Sequence, residues 1–191
     1  MNLIIEIFGL LTGVAYIWLE IKQNRWMWLL GILTAVVYVG IFFDSQLYAA
    51  MALQVYYFGV SIYGWIAWKR SKERLSEDES IFIKKLKPST IVVSIVAGAA
   101  IYFVMSTFLA RYTGDPVPRV DSLITSLSII ATFWLTKGYI EQWFVWMVAN
   151  VIAIILYFTQ GLYATSLLYI FYLIASIWGY IYWRKKGVLL K

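Results

Sequence analysis

Seven apolar stretches, each about as long as a membrane is thick, constrain the fold of this 191-residue chain more than any other feature. A helix rises ~1.5 Å per residue, so about 20 apolar residues cross the ~30 Å hydrocarbon layer of a bilayer. We therefore predict an all-α integral membrane protein with seven transmembrane helices. The predicted spans are 3–21, 26–43, 46–68, 88–109, 121–137, 142–159 and 161–183.

Composition agrees with a chain embedded in lipid and removes several function classes. Hydrophobic residues make up 62% of the chain and charged residues 14%, against about 45–50% and about 25% in soluble domains. Cysteine and histidine are both absent, which removes thiolate chemistry and the commonest general base and metal ligand. We predict the lipid bilayer as a partner, no nucleic-acid partner, no metal, no cofactor and no enzymatic activity.

The basic residues predict the orientation of the chain. Of the 16 lysines and arginines, all but Arg111 and Arg119 fall in alternate connections between spans or in the C-terminal tail. The positive-inside rule then places the N-terminus outside and the C-terminus inside a bacterial cytoplasmic membrane. The first stretch lacks a basic start and a small-residue cleavage site, so we read it as a retained helix rather than a signal peptide. For the charged stretch 69–87 we favour a solvated cytoplasmic linker over a lipid or nucleic-acid site.

The chain also resembles itself at an offset of 115 residues. Spans 1–3 are predicted to recur as spans 5–7, and span 4 restores the orientation, which gives a parallel 3+1+3 arrangement of a kind known in transporters. The predicted organisation is a first three-helix repeat (1–68), a linker (69–87), a linking helix (88–109) and a second repeat with the tail (110–191). The identical pairs are Trp28/Trp143, Leu47/Leu162, Tyr48/Tyr163, Ala49/Ala164, Leu53/Leu168, Tyr57/Tyr172, Ser61/Ser176, Ile62/Ile177, Gly64/Gly179, Ile66/Ile181 and Trp68/Trp183.

Acidic side chains stay near the ends of the predicted spans. Glu6 and Asp121 lie towards the outer side, and Glu20 and Glu141 lie at the inner edge. A proton or sodium relay normally needs a carboxylate inside the membrane, so this distribution argues against ion coupling. For Glu20 and Glu141 we favour interfacial anchors over substrate contacts.

Amides, hydroxyls and aromatic rings occupy the middle of the spans. Gln54 and Asn150 offer donors and acceptors at mid-membrane depth, and helical spacing puts each on a face with aromatic or hydroxyl neighbours. Three such faces would form a pocket for a planar, polar small molecule, and aromatic rings favour a cationic one. The predicted substrate-binding residues are Gln54, Tyr57, Ser61, Ser128, Thr132, Trp146, Asn150 and Tyr172.

Each of these features also has a purely structural interpretation. Trp26, Trp28, Trp68, Trp143 and Trp183 lie near predicted interfaces, where we favour membrane-belt anchors. The hydroxyls of the fifth span can bond to their own helix, and Gly64 and Gly179 suit close helix packing. Gln54 and Asn150 can equally join two helices, although we favour the substrate role slightly.

Several motifs resemble the PnuC-type vitamin transporters. In the first half these are Trp26-x-Trp28-x-x-Gly31, Leu47-Tyr48-Ala49, Leu53-Gln54-x-Tyr56-Tyr57 and Tyr63-Gly64-Trp65-x-x-Trp68. In the second half they are Asp121-Ser122-x-x-Thr125-x-Leu127-Ser128, Glu141-x-Trp143-x-x-Trp146-x-x-x-Asn150 and Gly161-Leu162-Tyr163-x-Thr165. The resemblance covers the chain except for the linker.

This resemblance implies a SWEET-like 3+1+3 fold and facilitated diffusion of a vitamin, which a cytoplasmic kinase then traps by phosphorylation. Members carry nicotinamide riboside, thiamine or riboflavin. We expect nicotinamide riboside, with thiamine as the close alternative because the opening Gly9-x-x-x-Gly13-x-x-Tyr16-x-Trp18-Leu19-Glu20 is closer to a thiamine branch. The chain departs from many members at Asn150, where they carry an acid, and near Thr132, where they carry a glutamine. An integral-membrane enzyme and an assembly subunit are the remote alternatives, and the sequence is compatible with a homo-oligomer.

Overall fold

The structure, a computed structural model, describes residues 3–44, 48–75, 81–114 and 116–190. Within these ranges it has seven helices and two short strands, so the prediction of seven helices is confirmed. The strands, β1 (Ile81–Lys84) and β2 (Gly187–Leu190), are not predicted by the sequence, and they pair in a two-stranded sheet. The helices are α1 (Leu3–Ile21), α2 (Trp26–Asp44), α3 (Tyr48–Lys72), α4 (Pro88–Tyr112), α5 (Pro118–Lys137), α6 (Gln142–Thr159) and α7 (Tyr163–Lys186).

Four helical segments of the described chain are long and apolar enough to cross a membrane: α2, α4, α6 and Thr165–Lys186 of α7. In α1 the shorter segment Leu11–Ile21 is also apolar. Helix α4 shows what such a segment does with its surface: Val92, Val96 and Val104 are each more than 60% exposed. Apolar side chains displayed in this way suit contact with lipid rather than with water.

The chain divides into two compact units. The first holds α1–α3 together with 136–138 and 186–188, and the second holds α4, most of α5, α6 and most of α7. Within the second unit α4 buries only small residues. The indole Nε1 of Trp134 donates a 2.9 Å hydrogen bond to Ser94 Oγ, and a Cβ on Gly98 would lie 2.5 Å from Ile130 Cδ1. Close packing of α4 against α5 therefore depends on small side chains on α4.

Each unit contains the same tryptophan–glycine–tryptophan cluster. The rings of Trp28 and Trp68 meet edge to face with centroids 5.1 Å apart, and those of Trp143 and Trp183 do so at 5.5 Å. All four rings are buried, so the prediction that they are membrane-belt anchors is wrong. Trp26, which is 52% exposed, remains compatible with that role.

A glycine makes room for one ring of each pair. A Cβ on Gly64 would lie 2.4 Å from Trp28 Cε2, and a Cβ on Gly179 would lie 2.4 Å from Trp143 Cη2. No real Cβ approaches an aromatic carbon so closely, so a larger residue would displace the ring. The close-packing interpretation of both glycines is confirmed.

The turn between α1 and α2 recurs between α5 and α6. The backbone N–H of Asn24 donates to Leu19 O at 2.8 Å. The backbone N–H of Tyr139, 115 residues later, donates to Trp134 O at 3.1 Å. Gln23 and Gly138, also 115 apart, both have a positive φ, at 47° and 76°. The internal similarity of the sequence therefore corresponds to local backbone geometry at this turn.

Part of the predicted linker is folded into the first unit. Ile81 and Phe82 of β1 are fully buried. The side-chain amide of Gln23 donates to Phe82 O at 2.9 Å and accepts from the Phe82 amide at 2.8 Å. Phe82 also meets Trp68 edge to face at 6.1 Å, and a Cβ on Gly138 would lie 2.3 Å from its ring. The linker boundaries stay a prediction, and residues 76–80 lie outside the described residues.

Candidate substrate site

The start of α6 concentrates buried polar atoms that lack hydrogen-bond partners within the described part of the chain. They are Glu141 Oε2, both amide atoms of Gln142, and the indole Nε1 atoms of Trp143 and Trp146. A buried polar atom without a partner costs about 1–3 kcal/mol, so such atoms are rare in folded proteins and need an explanation. Trp143 is sealed between Gly179 and Trp183, whereas Trp146 is only partly buried. Part of the Trp146 ring is thus accessible to a molecule outside the helices, whereas its Nε1 atom is buried.

Asn150 lies one turn beyond Trp146 on the same face of α6. It is 4% exposed, and its Nδ2 donates to Ser176 Oγ on α7 at 3.2 Å. The Ser176 hydroxyl in turn donates to Tyr172 O at 2.8 Å. Asn150 therefore joins α6 to α7, as the structural interpretation predicts, and one of its two amide protons is committed to that bond.

Two predicted hydroxyls of α5 bond within their own helix. Ser128 Oγ donates to Ile124 O and Thr132 Oγ1 donates to Ser128 O, both at 2.8 Å. Thr132 is buried and Ser128 is partly buried. Their protons are used locally, so only their lone pairs are left for a ligand.

Three predicted residues lie on α3 in the first unit. Ser61 is 3% exposed, and its Oγ lies 2.8 Å from where a Cβ on Gly31 would be. Tyr57 and Gln54 are partly buried, and the Tyr57 ring lies 5.4 Å from that of Tyr56. The structure thus gives α3 a polar face that is partly shielded from the surroundings.

Tyr172 belongs to a row of aromatic rings in the second unit. Its ring centroid lies 5.6 Å from that of Tyr169, which lies 5.2 Å from that of Tyr157. Tyr172 is partly buried. Trp146, Asn150, Tyr172, Ser128 and Thr132 all fall within the second unit, whereas Gln54, Tyr57 and Ser61 fall within the first.

The two acids at helix ends differ in burial: Glu20 is buried, whereas Glu141 is partly buried. Glu20 is 4% exposed, and Glu141 has a buried Oε2 atom. Lys137, at the end of α5, donates to the Tyr63 hydroxyl and lies 4.7 Å from the centroid of its ring.

Gln142 is a candidate that the sequence does not single out. Its side chain is fully buried, yet neither amide atom has a partner in the described residues. It stands at the first position of α6, where a polar residue is ordinary, so its type alone gives no signal. Its place inside the Glu141-x-Trp143-x-x-Trp146 motif is the feature that could have pointed to it.

Comparisons with known proteins extend over nearly the whole chain. The family model described as nicotinamide mononucleotide transporter matches residues 3–185. The nicotinamide riboside transporter PnuC of Escherichia coli (strain K12) is 30% identical, over 96% of this chain and 87% of its own length. The riboflavin/roseoflavin transporter RibM of Streptomyces davaonensis is 22% identical, over 95% of this chain and 85% of its own length.

A solved structure supports the same conclusion for the fold. The crystal structure of the vitamin B3 transporter PnuC superimposes with a TM-score of 0.68 at 24% identity, covering 93% of this chain and 79% of that one. With a family model matched from residue 3 to residue 185, this chain belongs to the nicotinamide mononucleotide transporter family and is a multi-pass membrane transporter rather than an enzyme.

Proposed function

We propose that this protein carries nicotinamide riboside across the bacterial cytoplasmic membrane. The observation that carries the proposal is the 30% identity to the Escherichia coli nicotinamide riboside transporter over 96% of this chain. The substrate is a cationic heterocycle joined to a sugar. It therefore needs aromatic faces for its ring and hydrogen-bonding groups for its amide and hydroxyls.

The proposed site takes its chemistry from the helices that the sequence singles out. Trp146 offers a ring face and a buried indole N–H without a partner in the described residues, and Asn150 offers the second amide proton that Ser176 leaves unused. In the second unit the proposal also includes Ser128, Thr132 and Tyr172. In the first unit α3 carries the predicted polar residues Gln54, Tyr57 and Ser61.

We propose uniport rather than ion-coupled transport. The acids of the chain stand at span ends, so no mid-membrane carboxylate is available for a relay. Binding free energy must then be similar in the outward-facing and inward-facing states, since a site that holds one state too tightly would stall release. Accumulation comes from a cytoplasmic kinase that phosphorylates the vitamin and traps it.

The proposed topology is the seven-span, parallel 3+1+3 arrangement, with the N-terminus outside and the C-terminus inside. It is supported by the seven helices, the recurrence of one turn geometry at an offset of 115 residues, and the loop distribution of lysine and arginine. A homo-oligomer stays a prediction from the sequence.

A second candidate substrate is riboflavin, since a riboflavin/roseoflavin transporter matches 95% of this chain. Thiamine stays the alternative that the opening of the sequence favours. All three vitamins contain planar heteroaromatic rings, so the proposed aromatic faces do not separate them.

A ligand panel on the purified protein tests the substrate. We expect nicotinamide riboside to raise the unfolding midpoint more than thiamine or riboflavin does, because ligand bound to the folded state stabilises it by mass action. A larger effect of thiamine or riboflavin would overturn the assignment. Uptake into proteoliposomes tests coupling: accumulation driven by an imposed pH or sodium gradient would contradict uniport.

Two substitutions separate the substrate role of Asn150 from its interhelical bond. Asn150→Ala and Ser176→Ala both remove the bond between α6 and α7, but only the first removes the amide from the site. Losing a buried hydrogen bond to the substrate costs about 1–3 kcal/mol, roughly 5- to 150-fold in affinity. We expect this loss of substrate affinity in Asn150→Ala, with expression retained. In Ser176→Ala we expect only a small loss of affinity. Equal losses would mean that Asn150 only holds the helices together.

Trp146→Ala is expected to weaken binding over the same range. Trp178, which is 46% exposed on α7, provides the matched control, because Trp178→Ala removes an indole outside the proposed site. Asn150→Asp should alter the preference among vitamins, since it adds a charge beside a cationic ring.

A further inference from the structure

A basic cavity lies in the first unit, and none of its lining residues belongs to the proposed transport site. Its volume is about 490 Å³, and it is lined by Lys22, Asn24, Arg25, Lys69, Lys72 and Glu73. These residues come from the turn between α1 and α2 and from the C-terminal end of α3. The lining thus carries four cationic side chains and one carboxylate.

Two of the four cations lie against aromatic rings, and a third, Lys72, is partly buried. The guanidinium carbon of Arg25 lies 5.3 Å from the centroid of the Trp65 ring, and Lys22 Nζ lies 5.3 Å from that of Trp18. Such contacts favour particular positions for the two charges. Burial, followed by repulsion from Arg25, lowers the pKa of Lys72. The cluster therefore holds like charges together at a cost, which a bound anion would relieve.

The positive-inside pattern explains why basic residues occur near these helix ends, but it does not require them to line one cavity. Charges that serve only to orient the chain need no shielding, and Arg184 and Lys185 at the end of α7 are exposed. In the cavity Arg25 and Lys69 are exposed as well, but Lys22 and Lys72 are partly buried. A built cavity with convergent donors is what an anion site requires.

We infer that this cavity binds a phosphate group, supplied by a soluble phosphate or by the headgroup of an acidic lipid. Lysine and arginine are the usual partners of phosphate oxygens, and the Asn24 amide adds neutral donors. The volume lies within the ~300–1,000 Å³ typical of small-ligand sites. The inference depends on the cavity alone and not on which vitamin is transported.

The first experiment uses inorganic phosphate and the full-length protein purified in detergent. The unfolding midpoint is measured against potassium phosphate and against potassium chloride at matched ionic strength. We expect phosphate to raise the midpoint beyond the chloride effect. Lys69→Gln/Lys72→Gln should weaken the apparent phosphate affinity by about tenfold to a hundredfold, since each of the two lost charge-assisted hydrogen bonds is worth up to about tenfold.

The control removes the same number of charges elsewhere. Arg184→Gln/Lys185→Gln takes two exposed cations from the end of α7 and should leave the phosphate response unchanged. A cooperative unfolding transition in phosphate-free buffer reports whether each variant still folds. Stabilisation by nicotinamide riboside is measured separately, so a failure here is distinguishable from a failure of the proposed transport function. An equal loss in the control pair would show general charge screening and overturn the inference.

The second experiment identifies the source of the phosphate group. Native mass spectrometry compares lipid retained by each variant after exchange into vesicles of phosphatidylglycerol with phosphatidylcholine. Retained phosphatidylglycerol that is lost in Lys69→Gln/Lys72→Gln assigns the cavity to a lipid headgroup, and a response to inorganic phosphate alone assigns it to a soluble phosphate. If Lys69→Gln/Lys72→Gln and the parent protein respond equally to inorganic phosphate and retain equal amounts of phosphatidylglycerol, the inference is wrong.

Discussion

The two halves of this chain share a packing framework and differ in the chemistry placed on it. Trp28, Gly64 and Trp68 in the first half adopt the same local arrangement as their partners 115 residues later, with ring centroids 5.1 and 5.5 Å apart. The turn before α2 and the turn before α6 share their hydrogen bonds. What is repeated is therefore the set of contacts that holds a three-helix unit together.

One clear difference between the halves falls on α6. Where α6 carries Gln142, Trp146 and Asn150, the corresponding positions of α2 carry Met27, Gly31 and Ala35. Met27 and Ala35 are fully buried, so α2 fills with apolar atoms the positions where α6 has buried polar ones. The repeat therefore conserves packing contacts, and the polar residues of α6 are additions to that framework, as our proposal for Trp146 and Asn150 requires.

The largest expected effect comes from deleting a framework ring. Trp68→Ala and Trp183→Ala each remove a fully buried indole, and substitutions of this kind cost about 3–5 kcal/mol. If the two clusters are equivalent, the two variants should lower the unfolding midpoint by similar amounts. Trp26→Ala, at a half-exposed ring, should lower it far less. Widely different unfolding midpoints for Trp68→Ala and Trp183→Ala would show that one cluster is dispensable.

The next effect comes from adding a single methyl group. Gly64→Ala and Gly179→Ala would each place a Cβ 2.4 Å from a buried indole, and overpacking of this kind costs about 1–3 kcal/mol. Gly59, on the same helix as Gly64, has nothing within 4 Å of the position that a Cβ would occupy. Gly59→Ala should therefore be neutral or slightly stabilising, because alanine favours helix. Equal unfolding midpoints for Gly59→Ala and Gly64→Ala would contradict the packing role.

A somewhat smaller effect is expected at the turn, where the halves use different residues. Gln23→Gly introduces the residue found at position 138 and relieves the left-handed backbone at φ 47°. It also leaves the buried amide and carbonyl of Phe82 without their partner. The lost bonds outweigh the relief, for a net destabilisation of about 1–2 kcal/mol. Hydrogen exchange at Phe82 is the direct readout, and unchanged protection there would refute the pairing.

The helices are predictable from the sequence because apolar length is a direct physical requirement for crossing a membrane. The bounds of α6 agree with the predicted stretch, and α3 extends four residues beyond it, to Lys72. Strand β1 is not predictable in this way, because Ile81, Phe82 and Ile83 are only three apolar residues in a charged segment. The Gln23 side chain, which bonds to the Phe82 backbone from a distant turn, is a contact that no sequence pattern reveals.

The candidate site is predictable only in part. The distance of a tryptophan from the end of a span gives its depth in the membrane but not the direction in which its ring points. The sequence therefore predicts Trp68 and Trp183 to be interfacial anchors. In the structure both rings are buried within the protein. Helical spacing places Trp146 and Asn150 on one face, but no spacing rule reveals that Ser176 accepts from Asn150. Which helix lies opposite is a property of tertiary packing.

The smallest expected effect concerns Lys72. The corresponding residue of the second half, Gly187, carries no charge. The pKa of Lys72 is lowered by burial and by Arg25, so the folded protein binds this proton less tightly than the unfolded chain does. The charged side chain is destabilising at neutral pH, and the penalty fades as pH rises from the lowered pKa towards 10.5. In phosphate-free buffer Lys72→Gln should raise stability at pH 7 by roughly a few tenths of a kcal/mol, since solvent screens a partly exposed charge. The advantage over the parent protein should shrink by about pH 10, and Lys185→Gln, at an exposed position of α7, should show no such trend in unfolding midpoint.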